Sequence, residues 1–293
     1  LALMAATTDR AWFRRMREQS GALGFLSDFA TITASSAATG CAASNLQRFR
    51  GATAGRVWRS TGDTDEWIQW DFGSSVSLNW ICVEGVASKG LRDVGTAEAT
   101  LTLLADDANP PTTSRGTLPQ SAANGGWALD LDTFSARYAR LRIQRAGGSS
   151  AWSYFQLARV ALDSAQQFGV NFSRSFQEGS EDLTILTELM DGAVMPRYRH
   201  PRRVLSVQFP HIGVSAGDRA LWNRFSGYGG EAESGFAPQA PLYFSPDPSG
   251  SLCGSTGEFA PRFCWVRAQG PLAGTAAAGT VFGSSLELVS IGR

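Results

Sequence analysis

From Phe25 to about Leu162 the chain breaks into short runs in which apolar and polar residues alternate, and turn chemistry separates the runs. The runs are Trp67 to Phe72, Val76 to Val86, Ala97 to Leu104 and Tyr138 to Ile143. Gly62-Asp63, Gly73-Ser74, Asn109-Pro110-Pro111, Asn124-Gly125-Gly126 and Gly147-Gly148 lie between and around them. A period of two places successive side chains on opposite sheet faces, so each run reads as a half-buried strand. Strand, turn, strand at this spacing predicts an all-β sandwich or jelly roll.

Composition supports a packed chain and narrows its partners. Hydrophobic residues make up 43% and charged ones 18%, too apolar for disorder. The 26 basic residues balance 26 acidic ones, so no net field holds a nucleic-acid backbone. Lys89 is the only lysine among the 26. An arginine-only cationic surface suits planar contacts at protein interfaces, the alternative being a codon bias toward arginine. No window approaches the roughly eighteen apolar residues of a membrane span, and Leu1 to Ala6 lacks the pattern of a signal peptide. The expectation is a protein made in the cytoplasm, with no nucleic acid bound and no membrane insertion.

Three segments follow: 1–24, helical or extended; 25–165, the sandwich; and 166–293, a second mainly β domain with one short helix. In the first, Thr8 as a cap and Trp12, Phe13 and Met16 among arginines suggest an amphipathic helix over 8–18. The last holds an arginine-rich stretch at 197–203, then a strand from Val204. A helix over 215–226 carries Leu221, Trp222 and Phe225, and strands follow near 241, 263 and 284.

Cys41, Cys82, Cys253 and Cys264 are too sparse for a disulfide framework and lack zinc spacing. Cys82 falls on one strand face with Trp80 and Leu78, as a small buried hydrophobe. Whether Cys253 and Cys264 close a hairpin or stay free is left open. In Trp67 to Phe72, the set Ile68, Trp70 and Phe72 belongs in the core, and Asp71 caps a turn at Gly73.

Ala34-Ser35-Ser36, Ala43 to Leu46, Trp58-Arg59-Ser60 and Glu66 to Gly73 resemble the opening of the discoidin family, the coagulation-factor type C domains. Ala136 to Ile143 and the strand at Phe155 to Ala161 are similar to that galactose-binding-like jelly roll's closing strands, so the resemblance spans about 25–163. It implies binding of sugars, lipids or proteins through loops at one end, and often a structural calcium ion. The calcium pattern departs here, with Arg50-Gly51 where Asp-Gly is expected and Ala158 or Arg159 where the last strand often has a carboxylate. No metal and no cofactor are expected. Trp152, Tyr154 and Arg92 are the candidate ligand contacts, because a sugar site needs an exposed aromatic beside fixed polar groups. Packing is the competing role for Trp152.

The elements from about 195 to 291 together are similar to a module of minor and distal tail proteins of tailed bacteriophages. That resemblance implies β domains joined into rings, an oligomer of three or six copies in the virion, other tail proteins as partners and contact with a host-surface glycan. Arg197, Arg199, Arg202 and Arg203 are then candidate interface residues facing acidic surface; the alternative is a solvated strand edge.

Catalytic motifs are absent. His200 and His211 each sit beside proline without a metal pattern, and no nucleophile elbow, phosphate loop or dinucleotide fingerprint occurs. Acidic groups such as Asp63/Asp65/Glu66 and Asp106/Asp107 fit turns better than a glycosidase pair facing across a cleft. The sequence reads as a non-enzymatic tail component, with a free carbohydrate-binding protein as the alternative and a polysaccharide hydrolase behind it.

Overall fold

The computed structural model describes residues 12–15, 17–19, 22–47, 57–85, 99–118, 120–121, 126–145, 153–167, 177–182, 185–188, 194–197, 202–212, 242–247, 262–268, 273–277 and 281–290. The described chain is mainly antiparallel β-sheet with very little helix. It opens with β1 (Trp12–Arg15), β2 (Arg17–Gln19) and β3 (Ala22–Gly24), then one helical turn, α1 (Leu26–Phe29), and β4 (Thr31–Ala34). A 3-10 turn over Ala43–Gln47 precedes β5 (Trp58–Arg59), β6 (Asp65–Gly85), β7 (Ala99–Asp106), β8 (Ser114–Thr117) and β9 (Gln120–Ser121). Next come β10 (Gly126–Arg145), β11 (Gln156–Asp163), β12 (Gln166–Gln167), β13 (Gln177–Glu181), β14 (Ile185–Glu188) and β15 (Val194–Arg197). The last strands are β16 (Arg202–Ile212), β17 (Leu242–Asp247), β18 (Arg262–Ala268), β19 (Ala273–Ala277) and β20 (Val281–Ser290).

One eight-stranded sheet runs β5-β11-β6-β10-β7-β8, with β4 on β6 and β9 on β10. Its two long strands pair twice. Asp65–Asp71 of β6 oppose Tyr138–Gln144 of β10, and Leu78–Glu84 oppose Gly126–Phe134, with register breaks at Asp130/Phe134 and Ala136/Tyr138. β4, β7 and β8 flank the first pairing; β5, β9 and β11 flank the second. Side chains from both halves meet in one core: Ile68, Trp70, Leu141 and Leu103 from the first, Ile81, Val83, Val160 and Leu162 from the second. The sheet thus folds over itself into two layers, and bulges are what bend the strands.

Two local expectations change. Gly73, at φ +78°, does not end a strand but carries β6 through its bend. Leu78 packs in the core with Ile81 and Val83, so the inward phase shifts by one residue at the break opposite Asp130. Trp80 and Cys82 thereby leave the face of Leu78. Both are buried nonetheless, with Phe25 standing edge-on to Trp80 at 5.6 Å and 82°. Ile68 and Trp70 are fully buried as expected, and Phe72 packs at the core's margin.

The second eight-stranded sheet runs β12-β1-β17-β18-β20-β16-β13, with β19 on β20. The helix expected over 8–18 is not formed: Trp12–Arg15 and Arg17–Gln19 are strands. All four residues of β1 pair with β17, and Trp12 and Phe13 pair with β12 as well, and this pairing outweighs the amphipathic spacing. The helix expected over 215–226 lies outside the described residues.

Leu141, fully buried between both layers' side chains, tests the shared core. Leu141→Ala is expected to lower the unfolding free energy by about 2–5 kcal/mol in urea, with the denaturant slope unchanged.

Candidate functional site

Strand ends define the site. Gly85 pairs with Leu157 and Ala99 with Arg145, so the ends of β6 and β10 and the starts of β7 and β11 lie at one end of the sandwich. Arg92 and Trp152 fall in the segments between those ends and lie outside the described residues. Tyr154 is described and half-buried, and the Arg59 guanidinium stacks over its ring at 5.1 Å.

The surrounding polar groups hold this pair in place. The Ser60 hydroxyl accepts from the Phe155 N–H at 2.7 Å and donates to the Gly62 carbonyl, tying the residues after Arg59 and Tyr154 together. Buried Glu66 accepts from the hydroxyls of Ser35 and Ser36, which in turn accept from the N–H groups of Trp67 (2.9 Å) and Thr61 (3.0 Å). Trp58 is fully buried and donates through Nε1 to the Ser36 carbonyl at 2.9 Å. Arg145 and Asp63 form an ion pair beside them. A fixed aromatic edge with guanidinium, carboxylate and hydroxyl neighbours can stack on a sugar ring and hydrogen-bond its hydroxyls.

The outer surface of the second layer is closed. Asp28 and Arg159, 6% and 5% exposed, form a fork-to-fork ion pair, and Arg159 also donates to the Leu46 carbonyl at 2.6 Å. Asp28 accepts from the Phe25 N–H at 2.8 Å, and Asp163 accepts from Leu26 at 3.0 Å, so α1 is pinned across β11. A guanidinium already bound to a carboxylate and a backbone oxygen cannot share them with Ca²⁺. These residues do not fit the calcium ion that the discoidin resemblance implies. Burial pushes the Asp28 carboxyl above its ordinary 3.8, with Arg159 pulling it back.

The outer surface of the first layer is open and laced with paired charge. Arg137 grips Asp71 at 3.0 and 3.2 Å, and Arg142 forks onto Asp65. Those hydrogen bonds hold both carboxyls below 3.8. Asp71 also accepts from the Gly73 N–H at 2.8 Å, the cap expected of it. Asp106 accepts from the N–H groups of Thr112, Thr113 and Ala108 within 2.9 Å, which shapes the loop between β7 and β8 and depresses its carboxyl strongly. Arg140 differs, for its Nε and Nη2 both donate to the amide oxygen of Gln69, at 2.9 and 2.6 Å, and it stacks on Trp67 at 4.2 Å.

In the second sheet Arg202 stands opposite Glu181 and Arg203 opposite Ser180 across β16 and β13, while Arg197 stands opposite Ile185 in the separate two-stranded sheet of β14 and β15. Arg199 lies outside the described residues, as do Cys253 and Arg50-Gly51. The structure therefore draws together Tyr154 and the strand ends that bracket Arg92 and Trp152, and adds Arg59, Asp63, Glu66 and Arg145. The sequence marked Arg59 only through the resemblance. Its role depends on Tyr154, ninety-odd residues away, and no local pattern records that pairing.

No protein-family model matches the chain, and no curated protein matches it. Solved structures do match. One is the Clostridium perfringens module CpGH89CBM32-5 in complex with GalNAc-β-1,3-galactose, 10% identical, with 48% of this chain and 99% of that one covered and a TM-score of 0.39. A second is chitosan-binding module 1 from a chitosanase/glucanase of Paenibacillus sp. IK-5, at 22% identity, 47% and 97% coverage and TM-score 0.35. A third is the Streptococcus pneumoniae fucose binding module SpX-3, at 14% identity, 49% and 100% coverage and TM-score 0.39. Each neighbour is nearly all covered and spans about half of this chain.

Arg159→Gln leaves the Asp28 carboxylate buried without its partner, and a loss of about 3–5 kcal/mol is expected. Between 3.8 and its raised folded value, the native Asp28 keeps a proton that the unfolded chain releases, so stability falls as pH rises through that window. Removing Arg159 extends the window upward. The deficit of the variant should be small below pH 3.8 and grow above it, read as urea midpoints against pH. Asp65, Asp71 and Asp106 act with the opposite sign, since their contribution is present above 3.8 and lost as pH falls below it.

Proposed function

We propose that this chain is a non-catalytic structural component of a bacteriophage tail, with its first sandwich contacting a host-surface glycan and its second sheet holding it in an oligomer. The single observation that carries the glycan contact is Tyr154 clamped under Arg59 at the end where the strand ends bracket Arg92 and Trp152. Aromatic edge and guanidinium are held by Ser60 beside the Arg145–Asp63 ion pair, so little ordering is left for the moment of binding. The tail role is supported by the residue pattern from about 195 to 291 and by its place in an eight-stranded sheet that recruits the N-terminal strand β1. Arg197, Arg199 and Arg203 are assigned to contacts with acidic surface on neighbouring copies or tail proteins; Arg202 stands opposite Glu181 of its own sheet. A free carbohydrate-binding protein would use the same Arg59–Tyr154 end, and oligomeric state separates the two.

Light scattering with negative-stain electron microscopy is expected to show closed rings or trimers. Monomers that capture no tail protein in a pull-down would overturn the assembly role. On a glycan array, Tyr154→Ala and Trp152→Ala are each expected to weaken binding about tenfold, and unchanged binding would remove this end as the site.

A further inference from the structure

The two outer surfaces of the first sandwich differ in kind. On the β11 side, α1 covers the sheet through Phe25, Asp28 and Leu26. On the other side nothing among the described residues covers the outward rows of β4, β6, β10 and β7. Thr31 and Thr33 of β4 are exposed, while Trp67, Tyr138, Arg140, Arg142, Thr102 and Leu104 are half-buried. Register sets them side by side: Thr33 opposes Gln69, Gln69 opposes Arg140, and Arg140 opposes Leu104.

Among the described residues, most of the arginines on β10 are paired with carboxylates. Of the described β10 arginines, Arg137, Arg142 and Arg145 each hold an aspartate. Arg140 has no carboxylate among the described residues, its two hydrogen bonds ending on one neutral oxygen. That oxygen is aimed, because the other end of the Gln69 amide donates to Asn109 at 3.0 Å. Asn109 in turn sits in the loop fixed by Asp106. Stacking on Trp67 at 4.2 Å fixes the guanidinium plane, so the cation is held before any ligand arrives. A guanidinium carries five N–H donors in a fork that matches a carboxylate, and Gln69 uses only one edge of it.

We propose that this open surface is a second glycan site, distinct from the Arg59–Tyr154 end, that selects a carboxylate-bearing sugar, with Arg140 receiving the acid and Trp67 backing it. The surroundings favour a sugar over a protein partner. Among the described residues around Arg140 stand hydroxyls and amides from Thr31, Thr33, Thr102, Gln69 and Asn109, with Trp67, Tyr138 and Leu104 as apolar or aromatic neighbours. Such a surface hydrogen-bonds a polyhydroxylated ring well and offers little of the apolar centre that a stable protein interface buries. Burial also lowers the Arg140 pKa somewhat, and Arg142 beside it adds to this, the condition that an incoming anion relieves.

The test is calorimetry of the full chain with trigalacturonate and its methyl ester, and with 3′-sialyllactose and lactose, which separates uronic from sialic acid as the source of the carboxylate. Each acid that fits should bind tighter than its neutral counterpart. Arg140→Gln should erase that preference, about ten- to a hundredfold, while leaving the neutral sugar's affinity and the unfolding midpoint in place. Arg137→Gln removes a guanidinium already committed to Asp71 and should leave the preference intact. If Arg140→Gln does not fold, salt titration of the parent protein reads the same contact, since the acid preference should fall with ionic strength and the neutral affinity should not. Equal binding of acid and neutral forms, equal losses in both variants, a preference indifferent to salt, or binding of an acidic peptide but neither acid sugar overturns the proposal.

Discussion

The antiparallel pairing of β6 with β10 is the constraint on which the sandwich rests. Either strand alone is about twenty residues long, three to four times an ordinary strand, and belongs to both layers at once. Their breaks at Asp130/Phe134 and Ala136/Tyr138 set where the sheet turns over, and therefore which residues face inward on each side. β4 and β11 take their register from β6, and β7 and β9 take theirs from β10. The open surface with Arg140 and the closed surface with Arg159 are both consequences of that single bent ribbon.

Polar groups finish what the ribbon starts. Arg159 of β11 ties α1 to the 3-10 turn through Asp28 and the Leu46 carbonyl. Its cost is burial of charge, offset by a complete fork on Asp28 and a backbone carbonyl. At the Arg59–Tyr154 end, hydroxyls of Ser35, Ser36 and Ser60 do comparable work at lower cost, since neutral groups lose less on leaving water. These hydroxyls explain why the cation–aromatic pair of Arg59 and Tyr154 can be held by residues from separate parts of the sequence.

Much of the fold was legible because an exposed-inside alternation forces itself on a sequence wherever one face meets a core. Ile68, Trp70, Leu101, Leu103, Leu141 and Ile143 all follow it and are all buried. It failed where backbone pairing rather than side-chain pattern decides. Trp12 to Arg15 has helical spacing yet finds hydrogen-bond partners on both sides, and Gly73 permits a bend without releasing the strand. The alternation also misplaced Trp80 and Cys82, because one irregularity in the partner strand shifts the phase downstream. β19, rich in alanine and glycine, has no periodic signal at all. Site residues were harder still, since Arg140 has no carboxylate among the described residues and donates instead to Gln69, a pairing made only across strands.

The topology of β1 carries a last consequence. Residue 12 pairs with residue 167, so the chain departs from the second sheet and returns to it at adjacent points, with the whole sandwich threaded between them. The sandwich is an insertion in what would otherwise be a hairpin of the second sheet. An insertion whose ends meet can be exchanged for another of any length at little entropic cost to its host. The sandwich is in that sense a cassette, joined to the second sheet by two hydrogen-bonded strands instead of one flexible linker.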